Sequence, residues 1–169
     1  MTEVTVKALS PHAVARTQIN EWRGRCLDLF AKGENAIADL LVGAAAANFE
    51  VKLHHLAGQR TKELAKLLDV NGPSKKQIEA GQRAIERWQK IETKRAPLAH
   101  GTLTATMDES GDWYAIFDMV DYRTNSITPI RLTISCKEAD EMTNELKTAL
   151  ARLKGELGHI KKRLKLQPE

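Results

Sequence analysis

The sequence predicts a helix-rich α+β fold: an up-and-down bundle of about four helices with a three-stranded antiparallel β-meander inserted before the last helix. Apolar residues recur every three or four positions through most of the chain, which is the period of an amphipathic helix. Between residues 102 and 134 they instead alternate with polar residues, which is typical of half-buried strands. With 169 residues, of which 42% are hydrophobic and 28% are charged, we expect one globular domain over residues 1–169.

The first helix is expected to follow an N-terminal arm of residues 1–10. Ser10 is suited to the N-cap position and Pro11 to the first helical position. An apolar stripe continues from Ile19 to Ala47 and predicts one long helix, bent or interrupted near Gly33.

Two further helices complete residues 11–96. The second is expected over residues 50–68, stopped by Asn71-Gly72-Pro73. Ser74 and Gln77 form a capping box at the start of the third. Pro97 should end the third helix, because the residue before a proline is disfavoured in the α region.

Residues 101–134 predict the meander, and residues 135–165 the last helix. Pro129 cannot donate to a β-ladder, so the third strand should either lie at a sheet edge or begin after it. Ser135 and Glu138 form a second capping box. The apolar stripe of the last helix is close to heptad spacing, enough to pack along a helix of the same or another subunit.

Composition and motifs limit the possible functions. The net charge of +4 permits an anionic partner without requiring one. Cys26 and Cys136 lie far apart, which indicates neither a zinc site nor a disulfide framework. Phosphate-binding glycine loops and the serine nucleophile elbow are missing from the sequence, so nucleotide hydrolysis by such loops and α/β-hydrolase chemistry are not expected. His54 and His55 are adjacent and lack the spacing of metal ligands on a helix, so we expect no metal and no cofactor. The sequence has neither a secretory leader nor an apolar stretch of about 18 residues, so a cytoplasmic protein that does not enter membranes is expected.

One pair of residues, Arg95 and His100, combines a cation with a group that titrates near neutrality. Continued around the third helix at 100° per residue, Arg95 falls on the apolar arc. An inward-facing arginine has to be paired or has to line a cavity, because an unpaired buried guanidinium is costly. Together the two residues could hold a phosphate and move a proton from a hydroxyl.

The segment from Arg95 to His100 resembles the signature of the HEPN superfamily, in which an arginine is followed by four to six residues and a histidine near a helix end. The resemblance covers residues 16–164 and departs from the family after the arginine, where Ala96, followed by Pro97, takes the position of a residue that is usually polar. It implies a metal-independent RNA-cleaving or RNA-binding protein. By resemblance, Arg95 would orient the scissile phosphate, His100 would be general base or acid at the ribose 2′-hydroxyl, and the site would be assembled in a homodimer.

Two alternatives remain open at this level. In the first, Arg95 pairs with a carboxylate such as Glu34 or Asp39, and His100 only caps the helix end. The protein would then be a non-catalytic interaction module that dimerises or docks a partner through its helices. In the second, the meander and the bundle enclose a small-ligand pocket lined by Trp88, Trp113 and Tyr114.

A basic stripe on the third helix is the candidate nucleic-acid-binding surface. It consists of Arg83, Arg87, Lys90 and Lys94, spaced by four, three and four residues. Such a row could follow a nucleic-acid backbone. Interspersed glutamates also fit the simpler interpretation of a solvated helix face.

Overall fold

The computed structural model describes residues 10–71, 75–123 and 126–166. In these residues the chain forms, in order, α1 (Pro11–Ala46), α2 (Ala57–Asn71), α3 (Lys75–Glu92), α4 (Arg95–His100), β1 (Thr102–Met107), β2 (Trp113–Arg123), β3 (Ser126–Ser135) and α5 (Cys136–Arg163). Four long helices, with an antiparallel three-stranded sheet directly before the last one, confirm the predicted fold class.

The chain divides into two compact units, each of which contains part of α1 and part of α5. The sheet unit consists of the described residues up to Arg25 together with Ala96–Met142. The helical unit consists of Cys26–Arg95 and the described residues from Thr143 onward. A single domain over the whole chain stays a prediction.

The sheet unit is built on a meander in the order β1-β2-β3. Leu103 pairs with Phe117, which pairs with Leu132, so these apolar side chains share one face of the pleated sheet. Phe117 is completely buried and lies 6.3 Å, centroid to centroid, from the ring of Trp22 on α1. The Trp22 indole N–H donates to the Ala139 carbonyl at 3.0 Å, so this buried ring has its polar atom satisfied.

The helical unit has an aromatic centre. Phe30 and Trp88 are both completely buried and meet edge to face, with ring centroids 6.0 Å apart. Gly33 lies one turn along α1 from Phe30, and a Cβ placed there would overlap the Trp88 ring. The glycine therefore admits the ring and does not interrupt the helix, which corrects the expected interruption, while the alternative of a bend stays a prediction.

The second helix begins later than predicted. Residues 47–56 are not helical, and α2 starts at Ala57. Arg60 donates to the carbonyls of His54 and His55, and the Glu63 carboxylate accepts the Lys52 N–H at 3.0 Å. Since side chains satisfy these backbone groups, the segment does not need helical hydrogen bonds, and the two histidines precede the helix instead of lying on it.

The third helix also ends differently. It stops at Glu92, and a new helix, α4, begins at Arg95 with Pro97 in its first turn. A proline is tolerated there because the first N–H groups of a helix have no partner within the helix. The Arg95–His100 segment is therefore itself a short helix, not the end of a broken one.

Two capping signals and the placement of Pro129 are confirmed by the structure. Ala13 N–H donates to the Ser10 hydroxyl, and Ser135 exchanges hydrogen bonds with Glu138 at the start of α5. Pro129 lies inside β3, which is an edge strand, as one of the two expectations required. The Ser74 capping box falls outside the described residues.

Among the described residues, no helix combines the length and the apolar character that crossing a bilayer requires.

Candidate functional site

Arg95 is engaged by a carboxylate. Its Nε lies 2.5 Å from Glu34 Oε1 on α1, and the two side chains are 37% and 11% exposed. Glu34 is one of the two carboxylates that the non-catalytic alternative named as a partner for Arg95. The arginine is thus anchored within the helical unit, as a cation on an inward face has to be.

Arg95 belongs to a larger cluster of charges that contains one residue from each of four helices. Glu34 Oε2 lies 3.8 Å from an Arg60 Nη atom of α2. Burial raises the pKa of Glu92 on α3, and the negative charge of Glu34 raises it further, while Arg95 and Arg60 lower it. Glu92 Oε1 and Arg60 Nε are buried and have no hydrogen-bond partner in the described part of the chain. Two carboxylates and two guanidiniums therefore occupy one largely desolvated site.

His100 is exposed at the carboxyl end of α4. The neighbouring carbonyls are held by Arg23, whose Nε and Nη2 lie 2.5 Å from Leu98 O and 3.2 Å from Ala99 O. The same guanidinium stands 5.4 Å from the centre of the Phe117 ring. An arginine that satisfies the last carbonyls of a helix fixes its end, so the backbone that carries His100 is well anchored.

The predicted basic stripe lies on the exposed side of α3 and just beyond it. The Arg83 side chain is 67% exposed and approaches Glu79 at 3.8 Å. Arg87 is half-buried and Lys90 is exposed. Lys94 follows the helix and lies 4.0 Å from Glu145 on α5.

Two of these predicted residues line a groove of about 390 Å³ along the α3–α5 contact. Arg83 and Arg87 contribute from α3, opposite Arg152 and His159 of α5. Small residues make up part of the lining. The complete lining is Ala80, Arg83, Ala84, Arg87, Arg152, Gly155, Glu156 and His159. We call this surface the basic groove.

Contacts at the two ends of the groove show how the helices are paired. The Arg163 guanidinium donates to the Gln77 side chain at 3.0 Å, and Lys94 approaches Glu145. The start of α3 therefore lies beside the end of α5, so the two helices run antiparallel. Antiparallel pairing places the i, i+4, i+7 face of α5 opposite the predicted stripe on α3.

Sequence reasoning missed Arg152, Glu156 and His159. Their spacing of four and three residues is helical, but the run combines an arginine, a glutamate and a histidine. A search for like-charged rows passes over such a pattern.

The aromatic residues of the small-ligand alternative have separate surroundings. Trp88 is completely buried against Phe30. Trp113 packs on Trp22 with ring centroids 6.1 Å apart, and the Tyr114 hydroxyl approaches Asp108 at 3.5 Å. Among the described residues, no group of three or more His, Cys, Asp or Glu side chains is arranged to hold a metal ion.

No protein-family model, curated protein or solved structure matches this chain.

Proposed function

We propose that this protein binds RNA, with the basic groove as the track for the phosphate backbone. The single observation that carries the proposal is that three arginines and a histidine from two helices line one concave strip. Arginine suits this role because its planar fork of donors matches phosphate oxygens.

The state of the groove side chains supports the proposal further. Within the described part of the chain, Arg87, Arg152 and His159 make no ion pair or side-chain hydrogen bond. Ala80, Ala84 and Gly155 have little or no side chain, so a ligand backbone can approach the helices closely. Phosphodiester contacts of this kind bind without reading base sequence.

Finer features follow from the HEPN resemblance and belong to the same proposal. They are a homodimer and metal-independent cleavage by Arg95 and His100; a cytoplasmic location, expected from the sequence without the resemblance, belongs to the proposal as well. The Arg95–Glu34 ion pair favours a structural role for Arg95, and therefore places binding before cleavage in the proposal. A non-catalytic module that binds RNA is compatible with both the basic groove and the Arg95–Glu34 ion pair.

Binding of a fluorescein-labelled 12-nucleotide RNA, followed by anisotropy, tests the groove. We expect the double variant Arg87→Ala/Arg152→Ala to bind about tenfold more weakly or worse, because two phosphate contacts are removed. The slope of log K against log salt concentration should fall in magnitude by about 1.4, since each contact to a single strand contributes about 0.7.

Arg16→Ala/Arg25→Ala is the matched control, because both arginines are exposed residues of α1 and their loss changes the net charge equally. Equal affinities and equal salt slopes for the two double variants would contradict the proposal and attribute binding to net charge alone.

A further inference from the structure

A carboxylate stands inside the basic groove. Glu156 lies one turn from Arg152 on α5, is half-buried, and lines the groove together with the cations. A second carboxylate, Glu79, is not part of the groove lining and lies 3.8 Å from the Arg83 guanidinium. In the described part of the chain Glu156 has no ion pair and no side-chain hydrogen bond, so its acceptor oxygens are available to a ligand.

An ionised carboxylate only accepts hydrogen bonds. Beside a bound phosphate it repels the ligand, unless the ligand supplies a donor that offsets the like charge. The groove lining contains no phenylalanine, tyrosine or tryptophan side chain, and His159 is its single aromatic ring. Three arginines, whose donors match phosphate oxygens, also line it, so the strand is expected to present its backbone to the groove.

The donor that recurs beside every phosphate of an RNA backbone is the ribose 2′-hydroxyl, which DNA lacks. An RNA strand can satisfy both kinds of group in this groove: its phosphates contact the arginines, and its hydroxyl donates to the carboxylate. A DNA strand satisfies the arginines but leaves the carboxylate unpaired beside a negative charge.

We infer that Glu156 is the specificity residue of the basic groove and selects RNA over DNA by accepting a hydrogen bond from a ribose 2′-hydroxyl. The inference rests on the proposed function, namely that the groove binds a nucleic-acid backbone. It assigns Glu156 a role in distinguishing RNA from DNA. It also predicts that the negative charge of Glu156 weakens the binding of any strand without the 2′-hydroxyl.

The test compares three labelled 12-mers of the same sequence: oligouridine RNA, its deoxyuridine counterpart and its 2′-O-methyl counterpart. The 2′-O-methyl strand keeps the ribose oxygen but has no hydroxyl proton to donate. We expect the wild-type protein to bind the RNA about tenfold more tightly than either of the other strands.

In Glu156→Ala, binding of the deoxy and 2′-O-methyl strands should strengthen while RNA binding changes little. The ratio of the affinity for RNA to the affinity for either other strand should therefore approach one. Glu156→Gln keeps the size of the side chain and one acceptor oxygen, and should give an intermediate ratio. Glu86→Ala removes an exposed glutamate of α3 outside the groove and should leave the ratio at the wild-type value.

The outcomes separate the two ideas. If Glu156→Ala strengthens binding of all three strands equally, or if the wild type binds them equally, the selectivity inference is wrong and RNA binding stands. If the wild-type protein binds none of the strands, the proposed function itself fails.

Discussion

At the scale of single residues, the helical unit contains a cluster of four partly buried charges. Glu34, Arg60, Glu92 and Arg95 interact where little water can screen them. Removing Glu34 would leave Arg95 without its ion-pair partner, which is costly for a partly buried charge. The sequence indicated that an inward arginine at position 95 needs a partner, but three-dimensional packing alone identifies Glu34 as that partner.

Two carboxylates of the helical unit should respond to pH in opposite ways. Burial and the charge of Glu34 raise the pKa of Glu92, so its folded form holds a proton more tightly than its unfolded form. Wild-type stability attributable to Glu92 should therefore fall as pH rises from about 4.3, the ordinary value for glutamate, through the folded-state pKa. The free energy of unfolding of Glu92→Gln, minus that of the wild type, should increase with pH over this window.

Glu63 is the internal comparison. The Lys52 N–H, and then the neighbouring Lys66 and His54, lower its pKa against the opposing effect of burial. The stability that Glu63 contributes is present above about pH 4.3 and is lost as pH falls through the folded-state pKa. Glu63→Gln should thus cost most near neutrality and least in acid. Urea denaturation across pH 3–7 measures both variants, and slopes of the same sign would contradict this assignment.

At the scale of elements, α1 shows how two glycines of one helix can have different roles. Gly33 receives the Trp88 ring, whereas a Cβ at Gly24 would meet nothing within 4 Å. Sequence periodicity established α1 as a helix because amphipathic spacing is local information. The same spacing could not show that Gly33 is a packing position, since the ring it contacts comes from a helix more than 50 residues away.

Alanine substitutions at these two positions should change stability in opposite directions. Gly33→Ala should lower the free energy of unfolding by about 1–3 kcal/mol, because the buried indole cannot move away from the added methyl group. Gly24→Ala should raise it by about 0.5–1 kcal/mol, because alanine loses less backbone entropy in a helix. Chemical denaturation monitored by circular dichroism provides the measurement, and a stabilising Gly33→Ala would disprove the packing role.

The start of α2 was mispredicted, and α4 was not predicted, for a related reason. Residues 50–56 contain no strong helix breaker, so the pattern allowed a helix to begin at residue 50. Arg60 and Glu63 instead bind the backbone of the preceding segment. Proline was likewise read as a stop signal, when a turn before Arg95 had placed it in the first turn of a new helix. Such competition between side chains and backbone is decided only when the packing is known.

At the scale of the whole molecule, the HEPN resemblance makes the most demanding prediction, because it requires two copies of the chain and a chemical step. It predicts a homodimer, which light scattering of the purified protein measures directly. It also predicts cleavage of a mixed, labelled RNA pool in EDTA that is abolished in both Arg95→Ala and His100→Ala.

Arg16→Ala and His55→Ala, which alter exposed residues of the same types, are the controls and should cleave normally. An RNA pool that remains intact with the wild-type protein would exclude the catalytic form of the proposal. The RNA-binding form would then rest on the groove measurements alone.

The sequence by itself determined the order and type of the four long helices and the three strands, the strand alternation and the capping of α5, but not the short helix α4. These depend on periodicity and on neighbours within about four residues, so no tertiary contact is needed to read them. Only the tertiary structure decided which carboxylate holds Arg95, where α2 begins, and that Arg152, Glu156 and His159 join Arg83 and Arg87 in one groove. Those outcomes depend on residues far apart in the chain, and the periodicity of a single helix carries no information about which helix packs against it.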